Sequence, residues 1–79
     1  MKWFKEKFLA SFGNCENKKI SKKQYDIFRK YLWSNEARET ADYGTGTYDL
    51  ETDFDSKHFF LREKTNLSKG NEYYVTISG

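Results

Sequence analysis

Residues 48–55 read YDLETDFD, and in this stretch carboxylates alternate with apolar or uncharged side chains. A period of two is typical of a β-strand with one buried face and one solvated face. The pattern therefore predicts a strand that turns Tyr48, Leu50, Thr52 and Phe54 towards a core.

Two more strands are predicted downstream of this one. They cover residues 58 to about 64 and residues 72–78, and the second turns Tyr73, Val75 and Ile77 to one face. A short polar turn near residues 55–57 and a longer loop at residues 65–71 join the three strands. Such short connections favour an antiparallel meander, since parallel pairing needs a crossover of a dozen or more residues.

Two helices are predicted upstream of the strands. Residues 2 to about 12 carry apolar side chains at positions 4, 8, 9 and 12, and Gly13 follows as a helix stop. A second helix is expected from Ser21 to about Trp33. Ser21 with Gln24 three residues later is a capping box, and the apolar residues one before the cap and four after it form a hydrophobic staple.

The expected fold class is therefore α+β, with two N-terminal helices packed on one face of a three-stranded antiparallel β-meander, in the order ααβββ. Residues 14–19 are expected to be a polar linker. Residues 36–40 are expected to continue as a frayed helical turn, although residues 34–46 also permit a short strand or a loop.

Length and composition limit the class of protein to which this chain can belong. The chain has 79 residues, 33% of them charged and 19% aromatic, with one cysteine and no proline. We expect one domain spanning residues 1–79, which leaves no room for a large active-site architecture. The single cysteine excludes a disulfide scaffold and indicates a reducing compartment, so the expected location is the cytoplasm of a bacterial host. No apolar run reaches the roughly 20 residues of a membrane span, and no membrane partner is expected.

Charge is segregated along the chain. Residues 1–30 carry nine basic and three acidic side chains, a balance of +6. Residues 31–55 carry one basic and seven acidic side chains, a balance of −6, and the remainder adds +2. These three segments sum to the net charge of +2.

The acidic segment contains a row of carboxylates at every second position, Asp49, Glu51 and Asp53, which Asp55 extends. Side chains two apart on a strand lie on one face about 6.6 Å from each other. Such a row needs cations opposite it, and the next strand offers His58, Arg62 or Lys64. The simpler interpretation is a solvated strand face, and the alternative is a surface that fits a basic groove on a partner. Calcium binding is disfavoured, because an EF-hand loop beginning at position 49 would place Phe at its glycine and glutamate positions.

Two aromatic doublets, at residues 59–60 and 73–74, lie on predicted strands. Neighbouring side chains of a strand point to opposite faces, so Phe60 and Tyr74 are expected outside the core, beside the acidic row. This arrangement permits either a recognition surface or two half-exposed rings that pair across strands.

The basic segment offers a second candidate site for a different class of function. Its members lie around the start of the second helix, where the helix dipole also favours an anion. They are Lys18, Lys19, Lys22, Lys23 and Arg29.

Enzymatic activity is not expected. One histidine and one cysteine cannot supply the His and Cys ligands of a tetrahedral zinc site, so no metal site and no cofactor are predicted. Gly44 and Gly46 form a lone Gly-x-Gly without the lysine of a phosphate-binding loop. No catalytic residue is therefore predicted.

The sequence as a whole favours a small non-enzymatic protein-binding module. Its Lys, Asn, Tyr and Phe richness without proline is typical of an AT-rich phage or mobile-element gene, which suggests an accessory protein that inhibits a host nucleic-acid-processing or defence enzyme, as anti-CRISPR proteins do. The expected partner is a larger protein with a basic groove. The expected contact residues are Asp49, Glu51, Asp53, Asp55, Phe60 and Tyr74. The alternative is a small nucleic-acid-binding regulator that uses the basic cluster, and self-association into a homodimer through the aromatic face is also open.

Overall fold

The computed structural model describes residues 12–33, 36–54 and 56–79. These residues form five strands and one α-helix, named here in chain order. They are β1 (Cys15–Ile20), α1 (Lys22–Trp33), β2 (Arg38–Asp42), β3 (Thr47–Phe54), β4 (Lys57–Lys64) and β5 (Glu72–Ser78).

All five strands belong to one antiparallel sheet with the order β1-β5-β4-β3-β2. The three predicted strands form its centre, and their register places Leu50 opposite Leu61 and Leu61 opposite Val75. β3, β4 and β5 pair antiparallel in chain order, but an additional strand lies on each side of them, so the sheet is not a three-stranded meander.

The predicted fold class is wrong as a whole. The fold is mostly β, with a five-stranded sheet in place of three strands, and one α-helix element lies within the described residues. The predicted helix from residue 2 to about 12 lies outside the described residues except for Phe12. The ring of Phe12 packs edge-on against Phe28, with 5.0 Å between centroids.

Strand β1 occupies the segment that was predicted as a polar linker. Among the described residues it is an edge strand that pairs with β5, and a bulge between Cys15 and Lys18 breaks its alternation. Within the bulge, Asn17 has a φ of 50° and its N–H donates to Oγ1 of Thr76 at 2.8 Å. Only Ile20 at its end is fully buried, so the strand carries no period-two signal.

Strand β2 occupies the segment that was predicted as a frayed helical turn. All of its five residues are exposed, and Glu, Ala and Asp are depleted in strands, so neither pattern nor propensity indicates it. Pairing with β3 and the turn that follows it hold the strand in place. In that turn, the Asp42 carboxylate accepts hydrogen bonds from the N–H groups of Gly44 and Thr45, at 3.0 and 3.4 Å.

Helix α1 begins as predicted with a capping box. The Gln24 N–H donates to Oγ of Ser21 at 3.2 Å, and the Ser21 N–H donates to Oε1 of Gln24 at 3.1 Å. The helix packs over β3, β4 and β5, and this contact forms the hydrophobic core. The fully enclosed side chains of the core are Tyr25, Phe28, Leu32, Leu50, Leu61, Val75 and Ile77. Among the described residues, no helix has the length and apolar character to cross a membrane.

One core side chain, Tyr25, is buried with a polar atom that finds no hydrogen-bond partner. Tyr25 is 1% exposed, and its hydroxyl has no partner among the described residues. Burial raises the pKa of Tyr25 above its ordinary value, because the ionised form loses its water. The hydroxyl therefore costs free energy on folding without a compensating bond.

Replacing Tyr25 by phenylalanine is accordingly expected to stabilise the protein by about 1 kcal/mol, since it removes this desolvation cost and keeps the ring. Urea unfolding of Tyr25→Phe measures the change. The matched control is Tyr74→Phe, which loses a hydrogen bond to Glu72 and is expected to be neutral or slightly destabilising. If Tyr25→Phe instead lowers the free energy of unfolding by about 1 kcal/mol or more, the hydroxyl makes a hydrogen bond in the folded protein.

Candidate protein-binding face

The sheet has one face against α1 and one face turned away from it, here called the outer face. Leu50 and Thr52 on β3 point into the core and are 0% and 3% exposed, so the residues between them and beside them point outward. The outer face of the central strands carries Asp49, Glu51, Asp53, His58, Phe60, Arg62, Glu72 and Tyr74. The predicted acidic row and both predicted outer aromatic side chains thus lie on one surface, while Asp55 lies outside the described residues.

Asp49 and Arg62 form the best-defined ion pair on this face. They lie opposite each other on β3 and β4, and the guanidinium donates to both carboxylate oxygens, from Nε at 2.9 Å and from a terminal nitrogen at 3.2 Å. The hydrogen bond to Asp49 raises the pKa of Arg62. The same guanidinium lies 5.4 Å from the centroid of the Phe60 ring, so the pair fixes a flat cationic and aromatic surface.

Glu51 and Asp53 are held together by His58. The imidazole Nδ1 lies 2.8 Å from Oδ1 of Asp53, and Nε2 lies 3.6 Å from Oε2 of Glu51. Glu51 is also 3.8 Å from the guanidinium of Arg38 on β2. Of the three predicted partners, Arg62 and His58 contact the acidic row, whereas Lys64 lies opposite Thr47.

A second polar cluster lies on the β5 side of the outer face. The Tyr74 hydroxyl donates to Oε2 of Glu72 at 3.0 Å, Asn66 contacts the same carboxylate at 3.5 Å, and the Lys19 ammonium lies 3.9 Å away. These hydrogen bonds, that of Tyr74 first, lower the pKa of Glu72 below its ordinary value, and the bond to Glu72 raises the pKa of Tyr74.

The Glu72 cluster leads to a prediction of pH dependence. Because the folded-state pKa of Glu72 is lowered, its bonds stabilise the fold above the ordinary pKa of 4.5, and this stabilisation is lost as the pH falls through the folded value. In Tyr74→Phe the pKa of Glu72 is expected to move up towards 4.5. NMR titration of the Glu72 side chain in both proteins measures this shift, and an equal pKa in both would show that the hydroxyl makes no bond to the carboxylate.

The predicted basic cluster is dispersed in the structure. Lys18 and Lys19 point to opposite faces of β1, where Lys18 lies over the ring of Phe12 and Lys19 approaches Glu72. Lys22 forms an ion pair with Asp26 at 3.0 Å, which raises the pKa of Lys22, and Lys23 is exposed beside it.

Arg29 lies apart from these lysines, on the side of α1 that faces β2 and β3. Its guanidinium is 5.1 Å from the ring centroid of Tyr48, 3.3 Å from the hydroxyl of that tyrosine and 3.8 Å from Glu39. The same side chains line a groove of about 530 Å³ between α1 and the β2–β3 hairpin, which the sequence did not indicate. The five basic residues therefore do not form one continuous patch.

The side chains that could bind a metal ion or act as a nucleophile are not brought together among the described residues. Residues 12–33, 36–54 and 56–79 contain no group of three His, Cys, Asp or Glu side chains placed to hold a metal ion. Cys15 lies on the core side of β1 with Sγ 3.7 Å from the Val75 carbonyl oxygen, whereas His58 lies on the outer face. These two side chains are thus on opposite sides of the sheet.

Two residues of the outer face, Arg38 and Glu72, were missed in the sequence. Arg38 reaches Glu51 only because β2 pairs with β3, and β2 has no sequence signal. Glu72 was placed on a predicted strand, but its contact with Tyr74 joins positions two apart on one face, and that spacing could have indicated it.

Comparison with known proteins returned no relative: no protein-family model, no curated protein and no solved structure matches this chain.

Proposed function

We propose that the protein is a non-enzymatic binding module that docks its outer face onto a larger protein partner. The observation that carries this proposal is the composition of a broad, open sheet surface. Among the described residues, α1 covers only the opposite face, and the outer face presents Phe60, Arg62 and Tyr74 side by side on β4 and β5. Aromatic residues and arginine are the side chains most enriched at the energetic centres of protein interfaces.

The arrangement of charge supports a protein partner more than a nucleic acid. Asp49 lies beside Arg62 and Glu51 lies beside Arg38, so the face presents pairs of both signs rather than a field of one sign. Paired charges of this kind orient a protein partner and discriminate against wrong ones. A polyanion, in contrast, requires a continuous basic surface.

The narrower form of the proposal is inhibition of a nucleic-acid-processing or defence enzyme by occupation of its basic groove. It is supported by the end of the acidic row, where the Asp53 side chain is 78% exposed and is contacted only on one oxygen by His58. Negative charge at this end of β3 is available to basic side chains of a partner, while Phe60 and Tyr74 supply apolar contact area.

Affinity capture with matched variants tests the proposal. The baits are the wild type, the double variant Asp53→Lys/Phe60→Ala on the outer face, and Asp26→Lys, which reverses an exposed aspartate on the solvent side of α1. We expect at least one bacterial protein that the wild type and Asp26→Lys retain and the double variant loses. Retention of the same proteins by all three baits would contradict the proposal, provided that circular dichroism shows all three to be folded.

A second measurement separates the nucleic-acid alternative. Labelled single-stranded RNA and duplex DNA are titrated with the wild type and with Lys22→Glu/Lys23→Glu at low and near-physiological salt. We expect no binding at near-physiological salt. Binding that weakens steeply with salt and is lost in the lysine variant would make the protein a nucleic-acid-binding regulator instead.

A further inference from the structure

The two edges of the sheet differ in their capacity to pair with another strand. The β1 edge is interrupted by its bulge, which twists and breaks the row of backbone groups. The β2 edge is regular, with an unbroken register from Arg38 to Asp42 against β3. All five of its residues are exposed, and no described residue pairs with its free side.

The sequence of β2 is complementary to itself in antiparallel orientation. When two copies of β2 pair about Thr40, Arg38 of each lies opposite Asp42 of the other, and the two Thr40 side chains meet at the centre. Arg38, Thr40 and Asp42 all lie on the outer face, since they oppose Glu51, Asp49 and Thr47 of β3. Opposite charges at directly facing positions stabilise a strand pair, and this register contains two such pairs.

The neighbouring registers lose this complementarity. A shift of one residue would place an outer-face side chain opposite a core-side one, so only shifts of two keep the faces aligned. One such shift places Glu39 opposite Glu39, and the other places Ala41 opposite Ala41 and Asp42 opposite Thr40. Both remove the two ion pairs, and the first also adds a repulsion.

We propose that a second copy of this chain pairs with β2 in antiparallel orientation, centred on Thr40, to form a two-fold symmetric dimer with one continuous sheet. Charged residues on an edge strand often prevent self-pairing. Here they do not, because antiparallel self-pairing places the positive Arg38 at one end of the strand opposite the negative Asp42 at the other end. A five-residue strand pair buries little area, so the dimer is weak and reversible. This inference does not rest on the proposed function, since it concerns the edge of the sheet and not its outer face.

Charged substitutions at Thr40 test the proposed pairing of two β2 strands. Sedimentation of the wild type is expected to show a dimer that dissociates on dilution below about 1 mM. Thr40→Glu and Thr40→Lys each place like charges opposite each other, and each is expected to raise the dimer dissociation constant roughly tenfold. An equimolar mixture of the two variants is expected to form a mixed dimer with a dissociation constant close to that of the wild type, because the two charges at position 40 are then opposite. A wild type that stays monomeric at about 1 mM, or a mixture no more dimeric than its components, overturns the proposal.

Cysteine cross-linking tests the register independently of charge. In a Cys15→Ser background, Thr40→Cys is expected to oxidise to a covalent dimer, because directly opposite Cα atoms lie within disulfide range. Ala41→Cys is the matched control, since its two copies are offset by two residues along the strand and lie out of range. Equal rates for the two variants would overturn the register centred on Thr40.

Discussion

Replacing Phe28 by alanine is expected to lower the free energy of unfolding by about 3–5 kcal/mol, the largest effect of any single substitution considered. Phe28 on α1 is 0% exposed, and its ring packs both against Phe12 and against the sheet. Its ring lies 5.0 Å from that of Phe12 and 6.3 Å from that of Phe59 on β4. Alanine removes the ring and leaves a cavity between α1 and the sheet.

A loss of this size is a large fraction of the stability of a 79-residue chain, for which about 4–12 kcal/mol is typical. Urea unfolding followed by circular dichroism measures it. The matched control is Trp33→Ala on the same helix, whose side chain is 52% exposed, and it is expected to cost less than about 1 kcal/mol. Equal effects of the two substitutions would contradict the placement of α1 on the sheet.

Replacing Ile20 by alanine is expected to cost about 2–4 kcal/mol. Ile20 ends β1 opposite Tyr73 of β5 and is 6% exposed. It also precedes the Ser21 cap of α1, and both it and Tyr25, the other half of the predicted staple, belong to the core. One side chain therefore joins the edge strand, the helix start and the core, and its loss affects all three.

The control for Ile20→Ala is Lys19→Ala at the neighbouring position. Lys19 is exposed, and its ammonium is 3.9 Å from Glu72, so its removal is expected to change the free energy of unfolding by less than about 1 kcal/mol. The contrast tests the burial of Ile20 between the end of β1 and the start of α1. A small effect at both positions would count against this burial.

The contrast between β3 and the two edge strands shows what periodicity can predict. Central strands such as β3 have a neighbour on each side and one buried face, so Leu50 and Thr52 alternate with carboxylates and the strand is evident. β1 has a bulge at Asn17, and β2 buries no side chain, so hydrophobic alternation is lost in both. β1 is formed by long-range pairing with β5, which no local pattern encodes, and β2 is formed by pairing with β3 across the turn at residues 43–46.

The candidate face was predictable to the extent that it depends on β3, β4 and β5. The outward positions of Asp49, Phe60 and Tyr74 follow from alternation, and the facing positions of His58 and Arg62 follow from antiparallel pairing of β3 with β4. The contact of Arg38 with Glu51 was not predictable, because it needs β2. This contact pairs Glu51 with an arginine, as Arg62 pairs Asp49, and leaves the exposed Asp53 at the end of the row.

The proposal that the outer face contacts a protein partner is tested most directly by site-specific photo-cross-linking. Benzoylphenylalanine is placed at Tyr74 on the outer face and, in a separate protein, at Trp33, which is 52% exposed on α1. Each protein is irradiated in a bacterial lysate, and the adducts are identified by mass spectrometry. We predict a protein adduct from position 74 that position 33 does not form. Adducts from position 33 alone, or the same adducts from both positions, would contradict the assignment of the outer face as the binding surface.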